Sequence, residues 1–202
     1  MNEQLRHVRR VYDVEALGAI DILREASVWT STFGQPIWPL ESFTVDDQRK
    51  IAAAGEQVGG FEDSEMVACM RLQKRDRIFW PDDPPGEALY LHKLAVRRAS
   101  AGKGWTARMV DWAVGECRTE NARALRLDTL ANGKLPAYYE TLGFRLVDKR
   151  PLLIERMPIV RMQLLIDAPT KSRRRSHSFK TVGSVLGSLT GQYSDNVGRA
   201  GE

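Results

Sequence analysis

Leu91-His92-Lys93-Leu94-Ala95-Val96-Arg97-Arg98-Ala99-Ser100-Ala101-Gly102-Lys103-Gly104-Trp105-Thr106 is the stretch on which the fold turns. An apolar strand, Ala88 to Val96, runs into a turn of small residues, and a helix begins after Gly104. The first amides of a helix have no intrahelical partner and point outward, where the helix dipole also favours an anion. Glycines at 102 and 104 let a phosphate approach the backbone with no Cβ in the way, and Arg97, Arg98 and Lys103 add positive charge. The segment is therefore a candidate pyrophosphate cradle. Glycine spacing alone is weak evidence, and the bland alternative is an ordinary helix start behind a flexible loop. A Rossmann fingerprint is excluded because no G-x-G-x-x-G is present, and a P-loop because no Gly-Lys-Ser/Thr follows at the required spacing.

Working outward, His7 to Val14 alternates and is expected to be a first strand, and Glu15 to Trp29 has helical spacing. Thr44 is set to N-cap a second helix through Ala54, with Asp46 and Asp47 in its first turn. Strands follow at Gln57–Phe61 and Met66–Gln73 around a tight turn. Phe79 to Gly86 carries three prolines and a glycine, so it is a loop. A helix runs to about Glu120, a strand covers Ala124–Leu130, and a short helix at Leu135–Leu142 stops at Gly143. Phe144–Asp148 and Ile159–Ile166 close the pattern. The order β-α-α-β-β-β-α-β-α-β-β predicts an α/β (α+β) fold, a mixed sheet with helices on both faces.

The 202 residues are 43% hydrophobic and 28% charged, which suits one globular domain plus an appendage. We expect the domain to span residues 1–168 and a basic, Ser/Gly-rich, disordered tail to span 169–202. The tail holds six of the 30 basic and two of the 26 acidic side chains, so it carries the whole net charge of +4. The remainder has 24 of each sign and offers no footprint for nucleic acid. No apolar run approaches the ~20 residues of a membrane span, and no signal sequence opens the chain. Cys69 and Cys117 are expected to be free, buried thiols in the cytoplasm. The three histidines and two cysteines show no metal-ligand spacing, so no metal is expected.

Five blocks occur in order: Tyr90-Leu91-His92-Lys93-Leu94-Ala95-Val96, Ala101-Gly102-Lys103-Gly104-Trp105-Thr106, Leu125-Arg126-Leu127-Asp128, Asn132, and Tyr138-Tyr139-Glu140-Thr141-Leu142-Gly143-Phe144. Together they resemble the GNAT N-acetyltransferases, most closely bacterial members acting on small molecules. Two positions depart from the family turn: Ala101 stands where Gln or Arg is usual, and Thr106 where Gly or Ala is usual. Trp105 is also bulkier than the usual Leu or Ile.

The resemblance implies acetyl-CoA as co-substrate. Leu94, Ala95, Val96, Arg98, Ala101, Gly102, Lys103, Gly104, Trp105, Thr106, Asn132 and Tyr138 would bind it. The strand at Leu91–Val96 would splay from its neighbour, and an amide near Leu94 or Ala95 would serve the oxyanion. Tyr139 would protonate the leaving thiolate; its plain alternative is a packing residue on an amphipathic helix. His92 is the candidate general base, because imidazole titrates near neutrality and alternation puts it on the face of Leu94 and Val96. A packed, hydrogen-bonded histidine is the alternative. The acceptor is expected between the first two helices and the loop after the third strand, at Trp29, Trp38, Trp80, Asp82 and Asp128. Aromatics beside carboxylates suit a small-molecule amine, although a hydrophobic lid with surface aspartates fits the same residues. Two other functions remain open: a protein lysine or N-terminal acetyltransferase, and a catalytically degenerate binding protein using its basic tail. The assembly state, a homodimer included, is left open.

Overall fold

The structure, a computed structural model, describes residues 5–32, 38–131, 134–154 and 157–167. Asn132 and the boundary and tail placed at 169–202 lie outside the described residues.

The chain runs β1 (Arg6–Arg10), α1 (Gly18–Ser31), α2 (Val45–Ala53), β2 (Gln57–Glu62), β3 (Glu65–Gln73), β4 (Ala88–Val96), α3 (Trp105–Thr119), β5 (Ala124–Leu130), α4 (Leu135–Thr141), β6 (Arg145–Leu146), β7 (Leu152–Ile154) and β8 (Met157–Leu165). The sheet order is β1-β2-β3-β4-β5-β8-β6, with β7 paired to β8. Among the described residues only β4 and β5 pair in parallel; every other pairing is antiparallel. The expected fold class is observed, with β7 as an added strand. The first strand ends at Arg10 rather than Val14, because Asp13 is left-handed (φ 48°) and a 3₁₀ turn over Asp13–Leu17 leads into α1. A left-handed residue breaks the regular extended repeat.

Local chemistry accounts for most boundaries. The Thr44 hydroxyl accepts from the Asp47 amide at 3.1 Å, which starts α2. Asp63 (φ 55°) and Ser64 turn β2 into β3, and Gly143 (φ 94°) ends α4.

Two apolar layers flank the sheet. On one face α3 lays Trp105, Met109, Val110, Ala113 and Cys117 over Val58, Ala68, Met70, Leu89 and Leu125. On the other, Ala19, Ile22 and Leu23 of α1 and Ala52 of α2 cover Phe61, Cys69 and Ala95. This two-sided burial removes most of the apolar surface from water and is the main driving force for the fold. The bulk of Trp105 is absorbed here, since its side chain is only 2% exposed. Its ring passes over Gly60, where an added Cβ would lie 2.9 Å from Cζ3. Gly60→Ala is therefore expected to destabilise the protein by about 1–3 kcal/mol, seen as a lower urea midpoint at unchanged slope. An unchanged midpoint would mean that α3 does not sit this close to the sheet.

Candidate active site

The site grows from an irregularity in β4. Cys69 pairs with Ala95 and Arg71 with His92, so Lys93 and Leu94 together oppose Met70. Lys93 takes a left-handed conformation (φ 53°) to allow it. Such a bulge bends its strand and shifts the side-chain alternation by one. β4 pairs with β5 only at Ala88–Tyr90 against Ala124–Arg126, and the two strands then part. From Leu91 to Val96 the β4 edge that faces β5 has no strand partner among the described residues. The bulge also corrects the expected facing of His92. Leu94 and Val96 pack with the α3 layer, as Leu89 and Leu91 do, whereas His92 sits on the opposite face beside Asp128.

One cavity of about 600 Å³ lies along the diverging strand and the turn after it. Leu94, Ala95, Val96, Arg98, Ala101, Gly102, Gly104, Trp105, Thr106 and Tyr138 all line it. The turn has the form expected of an anion cradle. Gly102 and Gly104 have φ of 76° and 80°, and a Cβ at either would meet nothing within 4 Å. Gly104 is the N-cap of α3, and no side chain caps the amides that follow. Of the three cations expected here, Arg98 alone lines the cavity, its guanidinium 3.8 Å from the Trp29 ring centroid. Arg97 is turned to Glu25 and Glu65. Lys103 is not among the lining residues; its ammonium lies 3.9 Å from Glu62 on β2.

A second cavity of about 430 Å³ lies on the other side of the splay. It is bounded by Trp38 from the α1–α2 connection, by Asp76, Ile78 and Phe79 after β3, and by Asp128 and Ile159. Trp38, Leu94, Leu135 and Tyr139 line both cavities, so the two meet at those side chains. Tyr139 is half-buried on α4, its ring edge-on to Phe144 at 5.6 Å. Burial, with Tyr138 and Asp128 nearby, holds its phenol above the ordinary range, so it stays protonated at neutral pH.

His92 lies between two carboxylates, with Nε2 3.5 Å from Asp76 and Nδ1 3.2 Å from Asp128. Asp76 Oδ2, His92 Nε2 and Asp128 Oδ1 are buried with no hydrogen-bond partner among the described residues. One ligand atom from each of the three groups falls within 4.8 Å, close enough for a cation. Nε2 faces Asp76 and Nδ1 faces Asp128, so the imidazole is flanked by a carboxylate at each ring nitrogen.

The residues expected to hold the acceptor divide. Trp38 and Asp128 line the second cavity, and Trp29 lines the first. Trp80 and Asp82 line neither. Trp80 is buried, flanked by Arg126 at 4.4 Å and Arg161 at 4.8 Å, while Asp82 is exposed. Asp83 accepts from the Tyr90 hydroxyl and pairs with Arg126, and Arg161 forks onto Asp148 and donates to the Phe79 carbonyl. These contacts clamp the loop to the sheet, and Trp80 is part of the clamp.

Asp76 and Lys93 went unread. Asp76 sits in the polar run Lys74-Arg75-Asp76-Arg77, which looks solvated, yet it is buried because its Oδ1 accepts the amides of Ile78 and Phe79. An aspartate two residues before an apolar pair is an Asx-turn signal that could have found it. Lys93 follows His92 in a strand whose other members are apolar or aromatic, and that break in pattern is the available signal.

Comparisons with known proteins bear on the family and the fold. The model of the Acetyltransferase (GNAT) family matches residues 22–144. An uncharacterized N-acetyltransferase, YesJ of Bacillus subtilis (strain 168), is 35% identical over 88 residues, 41% of this chain and 49% of that protein. The match thus spans about half the length of that curated relative. Among solved structures, a GNAT-family acetyltransferase from Listeria monocytogenes 4b F2365 superposes with a TM-score of 0.65 at 22% identity, covering 79% of this chain and 94% of that one. For yncA of Salmonella typhimurium, a putative acetyltransferase solved with its cofactor acetyl-CoA, the TM-score is 0.63 at 15% identity, over 80% and 94%. The ribosomal-protein-S18-alanine N-acetyltransferase of Escherichia coli gives 0.57 at 17%, over 83% and 98%. At these identities the likeness is one of fold.

Proposed function

This chain belongs to the GNAT acetyltransferase family, and from that premise we propose that it transfers the acetyl group of acetyl-CoA to a primary amine of a small molecule, by direct attack in a ternary complex. The observation that carries the reading is the meeting of two cavities at Leu94 and Tyr139, where β4 and β5 part. The larger cavity, with its glycine turn and uncapped α3 amides, suits the pyrophosphate and pantetheine of acetyl-CoA; the smaller takes the acceptor.

Chemistry at the junction needs a neutral amine, a stabilised oxyanion and a proton for the thiolate. His92 takes the proton from the acceptor ammonium, and the imidazolium formed has a carboxylate at each ring nitrogen. The amine nitrogen then attacks the thioester carbon, and the oxyanion accepts a hydrogen bond from the β4 amide near Leu94 or Ala95. As the C–S bond breaks, Tyr139 gives its proton to the sulfur, and the proton that the attacking nitrogen sheds on becoming an amide is returned to the phenolate. Ala101 and Thr106, the two departures from the family turn, both line the larger cavity, where backbone amides are expected to hold the donor.

Among the described residues no helix is long and apolar enough to cross a membrane. Two free, buried cysteines support a cytoplasmic setting. Burial pushes the Cys69 and Cys117 thiols up to about 12, so neither competes with CoA for a thiol reagent near neutrality.

The test is calorimetry with acetyl-CoA followed by thiol release against primary amines and short peptides. We expect binding of acetyl-CoA, intersecting initial-velocity patterns and turnover of small amines. Parallel patterns would sink the ternary complex, and turnover of peptides alone would transfer the reading to protein acetylation.

A further inference from the structure

Side chains of both signs line the second cavity. Asp76 and Asp128 are its carboxylates, with Asp76 only 6% exposed and its Oδ2 without a hydrogen-bond partner among the described residues. Arg71 and Lys93 are its cations. Arg71 already has a partner, since its guanidinium is 2.7 Å from Glu56. Lys93 differs: among the described residues no carboxylate lies within 4.0 Å of its ammonium, which rests 4.9 Å from the Trp38 ring centroid and 5.3 Å from that of Phe43. A bulge and a left-handed backbone are needed to aim it there. Burial, with Arg71 nearby, lowers its affinity for a proton, and Asp128 opposes that shift in part. A half-buried cation with no carboxylate in contact, in a cavity that also holds the buried Asp76 and the partly buried Asp128, is a costly arrangement for an empty fold. It becomes complementary when a ligand brings one charge of each sign.

We infer that the acceptor is a zwitterionic α-amino acid with a bulky apolar side chain, its ammonium directed to Asp128 and His92 and its carboxylate to Lys93. This rests on the reading above and names the substrate class of that site. Ile78, Phe79, Met157 and Ile159 supply an apolar lining for the side chain. The α-nitrogen is the group acetylated; Lys93 is a specificity residue and takes no part in proton transfer. A simple alkylamine would leave Lys93 unpaired, and a diamine would oppose it with a second cation.

The experiment compares matched pairs: L-leucine with 3-methylbutylamine, and L-phenylalanine with phenethylamine, with thiol release from acetyl-CoA as readout. One charge-assisted contact implies a kcat/KM for the amino acid roughly 10- to 100-fold above that of its decarboxylated partner. Lys93→Met is expected to bring that ratio close to one, lowering the amino acid's kcat/KM far more than the amine's, and Lys93→Arg to restore most of it. A urea midpoint for each variant shows that it is folded. A wild-type preference for the decarboxylated partners, or an unchanged ratio in Lys93→Met, overturns the inference. Turnover of neither member of a pair, with acetyl-CoA still bound in the calorimeter, overturns it while leaving the donor site standing. Loss of acetyl-CoA binding itself sinks the broader reading and this one together.

Discussion

Tyr139→Phe is expected to lower kcat about 100-fold or more while leaving acetyl-CoA binding within threefold of the wild type. The phenol lines both cavities and is the one acidic hydroxyl among the residues they share. General acid catalysis is typically worth 10²- to 10⁴-fold, and a thiolate without a donor must leave as the bare anion. Phenylalanine keeps the edge-on contact with Phe144, so stability should change little. The pH profile adds an independent check. Burial holds the phenol above its ordinary value, so the proton it must donate persists as pH rises. Tyr139 should therefore cause no alkaline loss of kcat below about pH 10. A kcat within threefold of wild type would leave Tyr139 as a packing residue only.

Gly104→Glu should abolish acetyl-CoA binding, a loss of at least 100-fold in Kd or about 2.8 kcal/mol. The residue is the N-cap of α3, and a side chain there meets no atom within 4 Å. The carboxylate would be free to occupy the amides that otherwise receive the pyrophosphate, and its charge repels the ligand. Part of any loss comes from the backbone, because φ is 80° and a side chain in the left-handed region costs about 1–2 kcal/mol. Gly104→Ala separates the two effects, since it carries the strain without the charge. Calorimetry on both variants should show Glu losing at least tenfold more affinity than Ala. Equal losses would mean that strain, and not anion competition, is what was measured.

Much of this molecule could be read from local pattern. Ala88–Val96 and Ala124–Leu130 match their expected bounds, because the first is strongly apolar, the second alternates, and each is closed off by Gly, Asn or charged residues nearby. The Thr44 cap and the Gly143 stop needed nothing beyond their neighbours. The short strand at Leu152–Ile154 did not stand out, since three residues have no measurable period and exist as a strand only by pairing with β8. The turn after β4 was equally legible, because glycines before a helix mark a cradle whatever the rest of the chain does.

The acceptor side was not legible in the same way. Alternation put His92 with Leu94, and one left-handed residue, Lys93, undid it, since a period of two has no memory across a bulge. Trp80 and Asp82 carried the right chemistry for an amine, but Arg126 and Arg161, distant in sequence, drew Trp80 into the clamp. Asp76 sat in a run that looked solvated until its own turn buried it. By itself, then, the sequence determined the order of elements and the anion-binding turn, because those depend on residues within a few positions of one another. Which charges line the second cavity together was decided by the tertiary structure alone. Asp76, Lys93 and Asp128 come from three different segments, and only the sheet's pairing and the bulge in β4 bring them to the same space.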